Sequence, residues 1–163
     1  MKHLLQVGGF VLILLVSSSL ALADHSEGYM KASAAYNTGD FEKAYLLWLV
    51  EAENDHPEAQ EMLGAMYIAG KGVPKNDKEA VRWYRMAAEQ GAANAQYVLG
   101  KMYSQGNGVS LSPEHACAWW MVAAANGNVA AKRERKPLHM KMTPEQTEKT
   151  YSIVIDILLK LGE

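Results

Sequence analysis

The side chains that could act as nucleophiles, bases or metal ligands are few and scattered along this sequence. Four histidines lie beyond residue 23. They are His25, His56, His115 and His139. None of them is predicted to share a helical face with a carboxylate and a second histidine, and no GxSxG, HExxH, P-loop or paired-cysteine motif occurs. Because catalysis needs a nucleophile, a base and a charge stabiliser close together, the sequence predicts surface or capping histidines and no enzyme activity.

One short segment, His139-Met140-Lys141-Met142, combines a histidine with two methionines. Thioether sulfurs suit soft metal ions, so this segment could bind reduced copper in an exported protein. In the alternative interpretation, the methionines belong to a linker and pack beneath a C-terminal helix as flexible apolar side chains. The second interpretation is favoured, so neither a metal nor another cofactor is predicted.

A basic segment and a single cysteine are the other chemically notable features. Lys132-Arg133-Glu134-Arg135-Lys136 carries four cations and suits either an anionic partner or the solvated face of a helix. The net charge of the whole chain is only −2, which gives no reason to expect nucleic-acid binding. Cys117 has no partner for an intrachain disulfide and is followed by Trp119 and Trp120, so we expect a buried apolar residue.

The elements that position these side chains come from an internal repeat of 36 residues. Residues 59–94 align with residues 95–130 without a gap, and 14 of the 36 positions are identical. In the first copy these positions are Ala59, Gln60, Leu63, Gly64, Met66, Tyr67, Gly70, Gly72, Val73, Ala80, Trp83, Ala87, Ala88 and Gly91. Self-similarity at a period of about 20–50 residues indicates a solenoid, which is typical of binding surfaces rather than of reactive centres.

Each repeat is predicted to consist of two helices. The first runs from about residue 57 to residue 69, where apolar side chains recur at helical spacing. Gly70 then supplies the left-handed residue that ends a helix. The second helix begins after Asn76 as its N-cap, and Glu79 is predicted to complete a capping box. Ser112 takes the N-cap position in the next copy.

The two ends of the stack are predicted to be atypical, as terminal repeats commonly are. Residues 24–58 form a degenerate first repeat, and residues 131–163 form a partial repeat followed by a capping helix that begins after Thr143. We expect this last helix to cover the open end of the stack with one apolar face. That face consists of Tyr151, Ile155, Leu158 and Leu159, with Val154 beside them.

Residues 1–23 are predicted to be a secretory signal peptide. They combine a basic residue at Lys2, an apolar run over residues 8–16 and an Ala-Leu-Ala sequence that ends at Ala23. Cleavage after Ala23 would give a periplasmic or secreted bacterial protein with no stable membrane insertion. The alternative is an uncleaved anchor, because about 20 residues just suffice to span a bilayer.

The two repeats resemble the Sel-one-like repeat family, a relative of the tetratricopeptide repeats. The matching segments are residues 59–73 with 80–96, and residues 95–109 with 116–128. The resemblance implies an all-α, right-handed superhelical solenoid of helix–turn–helix repeats, with about three and a half repeats plus a C-terminal capping helix. It also implies protein–protein contact, often in bacterial envelopes. Some exported relatives carry a cysteine pair in every repeat and have been discussed as acting on β-lactams, whereas Cys117 stands alone.

The predicted binding site lies on the first helices of the repeats, which line the concave face of two-helix solenoids. The residues expected to face the groove are Glu61, Ala65, Ile68, Tyr97, Lys101, Ser104 and Arg133. The sequence therefore predicts a periplasmic, non-enzymatic adaptor, assembly factor or regulator that binds a peptide or protein segment of unknown identity. The alternatives are an amide hydrolase acting on cell-wall or β-lactam substrates, and a copper-handling protein that uses residues 139–142.

Overall fold

The computed structural model describes residues 27–162, which form eight α-helices and no strand. Helix α1 covers residues 27–37 of this described part. The others are α2 (Phe41–Glu53), α3 (Pro57–Ala69), α4 (Asp77–Glu89), α5 (Ala93–Gln105), α6 (Pro113–Ala125), α7 (Val129–His139) and α8 (Pro144–Leu161). The predicted signal peptide lies outside the described residues. Among the helices described, none is long and apolar enough to cross a bilayer.

From α2 to α7, consecutive helices pack against each other in chain order, as the sequence predicts for a helical solenoid. Within the repeats α3 packs against α4 and α5 against α6, while α2, α4 and α6 each contact the first helix of the following unit. The buried side chains form clusters along the stack rather than one central core. The predicted all-α repeat solenoid is therefore confirmed.

Close packing within each repeat depends on a glycine on the first helix and an aromatic ring on the second. A Cβ atom on Gly64 would lie 2.6 Å from the Tyr84 ring, and one on Gly100 would lie 2.5 Å from the Trp120 ring. Trp48 holds the equivalent buried position in the first, degenerate repeat. Real Cβ atoms do not approach a ring this closely, so any larger residue would separate the two helices.

Two fully buried glutamines, Gln60 and Gln96, tie each repeat to the preceding one. The Nε2 atom of Gln96 donates to the carbonyl oxygen of Ala88 on α4 at 3.0 Å. Its Oε1 atom accepts from Nδ2 of Asn126, the C-cap residue of α6, at 2.9 Å. Gln60 makes the same two kinds of bond one repeat earlier. Because a buried amide is costly unless it is satisfied, these bonds fix how neighbouring repeats align.

The helix ends agree with the sequence prediction except at Glu79. Gly70 ends α3 in the left-handed conformation, with φ at 65°, and the Asn76 side chain caps α4. The backbone N–H of Asn76 already donates to the carbonyl oxygen of Tyr67 at 3.0 Å. No donor is left for the Glu79 carboxylate, which instead accepts from Arg82 Nε at 3.0 Å. The predicted capping box is therefore wrong.

The face of α8 that packs is also different from the predicted one. Helix α8 lies against α6 and reaches α4. Its residues in contact with the core are Ile153, Val154, Ile157 and Leu161. The four side chains that define the predicted face are 46–64% exposed. They are Tyr151, Ile155, Leu158 and Leu159. Both sets recur at helical spacing, so α8 has two apolar faces and periodicity alone chose the wrong one.

Candidate partner-binding groove

Three of the predicted site residues, Ile68, Tyr97 and Lys101, line one groove of about 360 Å³. The groove lies where the last turn of α3 and the start of α4 face one side of α5. Val98 and Met102 of α5 complete its apolar lining. Neither residue was predicted from the sequence to be part of a site, because Met102 is itself a repeated packing position and Val98 does not belong to the predicted groove face.

The rim of the groove is polar and carries two lysines. Lys75 lies in the turn before α4, and its Nζ is 3.8 Å from the carboxylate of Asp77. Lys101 is exposed, and its Nζ lies 5.9 Å from the centroid of the Tyr97 ring. An apolar floor with a few polar groups around it is the usual composition of a binding site. The sequence missed Lys75 and Asp77 because the repeat pattern does not show where a turn meets the next helix.

Tyr84, on α4, also lines the groove. Its ring is buried, and this burial, together with the negative charge of Glu61, raises the pKa of Tyr84 to about 12. The phenol is therefore uncharged at neutral pH. Tyr84 is also a packing residue, since its ring packs against Gly64.

Glu61, another predicted site residue, holds the start of α5. Its Oε1 atom accepts from the backbone N–H of Ala95 at 3.0 Å, and its Oε2 atom accepts from Asn94 Nδ2 at 2.7 Å. Ala92, the N-cap residue of α5, has no side chain that could do this. Glu61 thus supplies from α3 the acceptor that an N-cap normally provides, and places a negative charge at the positive end of the α5 dipole.

The other three predicted site residues do not line the groove. Ala65 is half-buried on α3. The Ser104 hydroxyl donates to the carbonyl oxygen of Lys101 at 2.8 Å. Arg133 lies on α7, with a side chain that is 79% exposed and 3.9 Å from Glu134. Partner contact by these residues stays a prediction.

Among the described residues, the contact that most resembles a catalytic pair joins Ser112 and His115. Ser112 Oγ lies 2.9 Å from His115 Nδ1, but it also accepts from the His115 backbone N–H at 3.3 Å as the N-cap of α6. Burial lowers the pKa of His115, and the positive charges of Lys149 and Arg85 act in the same direction. As the N-cap, Ser112 stabilises the start of α6.

Residues 139–142, the alternative copper-binding segment, lie where α6, α7 and α8 meet. His139 Nδ1 is 4.0 Å from Cys117 Sγ, and Met142 Sδ accepts from the Thr150 hydroxyl at 3.6 Å. Cys117 is buried as predicted, and burial raises the pKa of its thiol, with the positive charge of Arg135 opposing this shift. Within residues 27–162, no three His, Cys, Asp or Glu side chains converge on one metal position.

A helical repeat solenoid with a lined groove defines a scaffold for binding, and comparison with known proteins identifies the kind of scaffold. The Sel1 repeat model matches residues 57–91 and 93–128. A Sel1 repeat protein from Oxalobacter formigenes has 32% identity and a TM-score of 0.65, over 77% of this chain and 97% of that protein. This chain therefore belongs to the Sel1 repeat family, whose members are generally protein–protein interaction modules.

A second similar structure is that of a protective antigen present in uropathogenic Escherichia coli strains, which displays an SLR fold. The identity is 28% and the TM-score is 0.79, with 89% of this chain covered. This chain spans only 32% of the length of that antigen. No curated protein matches the sequence.

Proposed function

We propose that this protein is a non-enzymatic interaction module of the bacterial periplasm, which binds a segment of a protein partner in the groove between α3 and α5. The observation that supports this is the meeting of Ile68, Tyr97 and Lys101 in one groove. At each of these three positions the other repeat has a different residue, whereas the neighbouring packing positions are identical in both copies. A repeat whose interior is fixed remains free to vary its surface for recognition.

The groove has room for one or two apolar side chains of a partner. Tyr97 offers a large amphipathic ring of the type that often contributes most of the binding energy at protein interfaces. Lys75 and Lys101 on the rim can pair with carboxylates that flank the apolar side chain. With about three and a half repeats, the protein holds only a short segment, as expected of an adaptor, an assembly factor or a regulator.

Photocrosslinking in intact cells tests the location of the site. A photoreactive residue at Ile68 is expected to capture a partner, whereas the same residue at Glu148, an exposed position on α8, is not. Tyr97→Ala should abolish capture, and the matched change Tyr151→Ala on the exposed face of α8 should leave it unchanged. Equal capture at both positions, or capture that survives Tyr97→Ala, would exclude the groove.

The proposed export depends on the predicted signal peptide and can be tested separately from partner binding. The mass of the protein purified from the periplasmic fraction should correspond to a chain that begins at Asp24. A chain that keeps residues 1–23 and remains with the membrane would instead support the uncleaved anchor.

A copper-handling role is the second candidate, and the contact between Cys117 and His139 supports it. A thiol and an imidazole 4.0 Å apart are two donors that suit a soft ion. Under reducing conditions, mass spectrometry of the copper-titrated protein should show one retained copper ion, which is lost in His139→Ala. A protein that retains no copper after desalting removes this candidate.

A further inference from the structure

A second cavity, of about 180 Å³, lies between α4, α6 and α8 and shares no lining residue with the groove. Its apolar lining consists of Trp119 from α6 with Ile153 and Ile157 from α8. Trp119 and Ile157 are buried. The cavity forms where α8, which has no counterpart in the repeats, covers the second helices of two successive repeats.

Four charged side chains of both signs surround this apolar lining. Arg85 and Glu89 extend from α4, and Asp156 and Lys160 extend from α8. Among the described residues, no ion pair within 4.0 Å joins any two of these four. Two positive and two negative groups therefore line one cavity without a direct ion pair between them.

The spacing of two charged residues on α8 predicts an ion pair that the structure does not contain. Asp156 and Lys160 are four residues apart with the acid first, which is the favourable order for a pair on a helix. Glu27 and Lys31 have the same spacing and order, and their charged atoms lie 2.7 Å apart. The carboxylate and the ammonium group of α8 are instead both available at the edge of the cavity.

Tyr103 of α5 contacts both Arg85 and His115, two of the residues that line the cavity. Arg85 Nη2 donates to the Tyr103 hydroxyl at 2.7 Å, and the His115 ring stacks on the Tyr103 ring with centroids 4.8 Å apart. A guanidinium group has five N–H donors, so Arg85 retains donors for a carboxylate. Burial lowers the pKa of His115, and the positive charges of Lys149 and Arg85 act in the same direction, so this side of the cavity disfavours a further positive charge.

We propose that this cavity binds a small zwitterion, namely an α-amino acid with an apolar side chain. Its carboxylate pairs with Arg85 and Lys160, its ammonium group pairs with Glu89 and Asp156, and its side chain lies on Trp119. A ligand with one sign of charge would leave two opposing groups of the cavity unpaired. Pockets for drug-sized ligands measure about 300–1,000 Å³, so this smaller cavity suits a single amino acid.

Calorimetric titration of the folded protein with L-leucine, and with its two singly charged analogues, tests the proposal. Leucine is expected to bind with saturation. N-acetyl-leucine lacks the ammonium group and leucinamide lacks the carboxylate, so each should bind about tenfold more weakly or worse, the equivalent of one lost charged contact. No heat of binding from leucine or another apolar amino acid at about 10 mM would overturn the proposal, and so would equal affinity for the capped analogues.

Variants on α8 localise the site, because both of its charged cavity residues are exposed and their substitution should not disturb folding. Asp156→Asn and Lys160→Gln should each weaken leucine binding by about tenfold, with unchanged circular dichroism spectra. Glu148→Gln changes an exposed charge on the same helix outside the cavity and should bind like the parent protein. Unaltered affinity in Asp156→Asn would contradict this assignment and would leave the groove, which is tested through Tyr97, unaffected.

Discussion

The two matched repeats and the C-terminal helix α8 both place apolar side chains at helical spacing, but different contacts determine their packing. In the repeats, the buried glutamines make the same contact 36 residues apart, as Gln60 and Gln96 do with the preceding helix. Helix α8 has no earlier copy, and it buries Ile157 while it leaves Leu159 exposed. The comparison shows that repetition specifies an interior, whereas the end of a stack depends on which neighbouring surface is available.

Equivalent positions within the two repeats also diverge in what they do. Tyr97 lines the groove, while Glu61, its equivalent one repeat earlier, holds the start of the next first helix. The Tyr67 hydroxyl lies 3.0 Å from that of Tyr45, whereas the Tyr103 hydroxyl accepts from Arg85. The same position of the repeat therefore stabilises the packing of helices in one copy, as Glu61 does, and lines the candidate groove in the next, as Tyr97 does.

The largest effect is expected from filling the glycine contact inside a repeat. Gly100→Leu places a branched side chain where even a Cβ atom would lie 2.5 Å from the Trp120 ring, so the free energy of unfolding should fall by about 3 kcal/mol. Urea denaturation measures this. Gly162→Ala is the matched control, because a Cβ there meets nothing closer than 3.6 Å, and its stability should stay within about 0.5 kcal/mol.

The buried glutamines test whether the two repeats are energetically equivalent. Gln96→Leu removes both hydrogen bonds and leaves the Asn126 amide without its partner, which should cost about 1–3 kcal/mol of stability. Gln60→Leu should cost the same within about 1 kcal/mol, since it breaks the equivalent bonds. Thermal unfolding of the two variants side by side would disprove this equivalence if only one of them were destabilised.

A smaller effect is expected at the acceptor that holds α5. Glu61→Ala removes the acceptor of Ala95 N–H, and the loss of an N-cap of this kind costs about 1 kcal/mol. Glu53→Ala, at an exposed position near the end of α2, should be close to neutral. Chemical denaturation measures the free energy of unfolding of both variants. Equal stability of the two would mean that Glu61 does not hold the start of α5 and is free for other contacts.

The smallest effect is expected on the exposed face of α8, the region that departs from the repeat. Leu159→Ser should change the free energy of unfolding by less than about 0.5 kcal/mol, because the side chain is already in water. Ile157→Ala, on the buried face, serves as the sensitive reference and should cost about 2–4 kcal/mol. If thermal unfolding showed a larger loss of stability for Leu159→Ser than for Ile157→Ala, the face predicted from the sequence would be the one that packs.

The sequence by itself determined the repeat, the positions of its helices and most helix ends. Gly70 and Asn76 act through their own backbone and near neighbours, so their roles can be read locally. The residues that recur after 36 positions include Gly64 and Gly100, where the structure shows close packing of the two helices of a repeat. Of the candidate site, the sequence predicted three groove residues, because they lie beside packing positions on the first helices.

Only the tertiary structure decided what the non-repeating residues contact. Glu61 has the same helical position whether it faces a partner or the start of α5, and the difference depends on a helix more than 30 residues away in the chain. The turn residue Lys75 reaches the groove for the same reason. Helix α8 has two apolar faces, and α6 and α4 select one of them by lying against it. Periodicity specifies that a face is apolar, whereas burial depends on the surface that meets it.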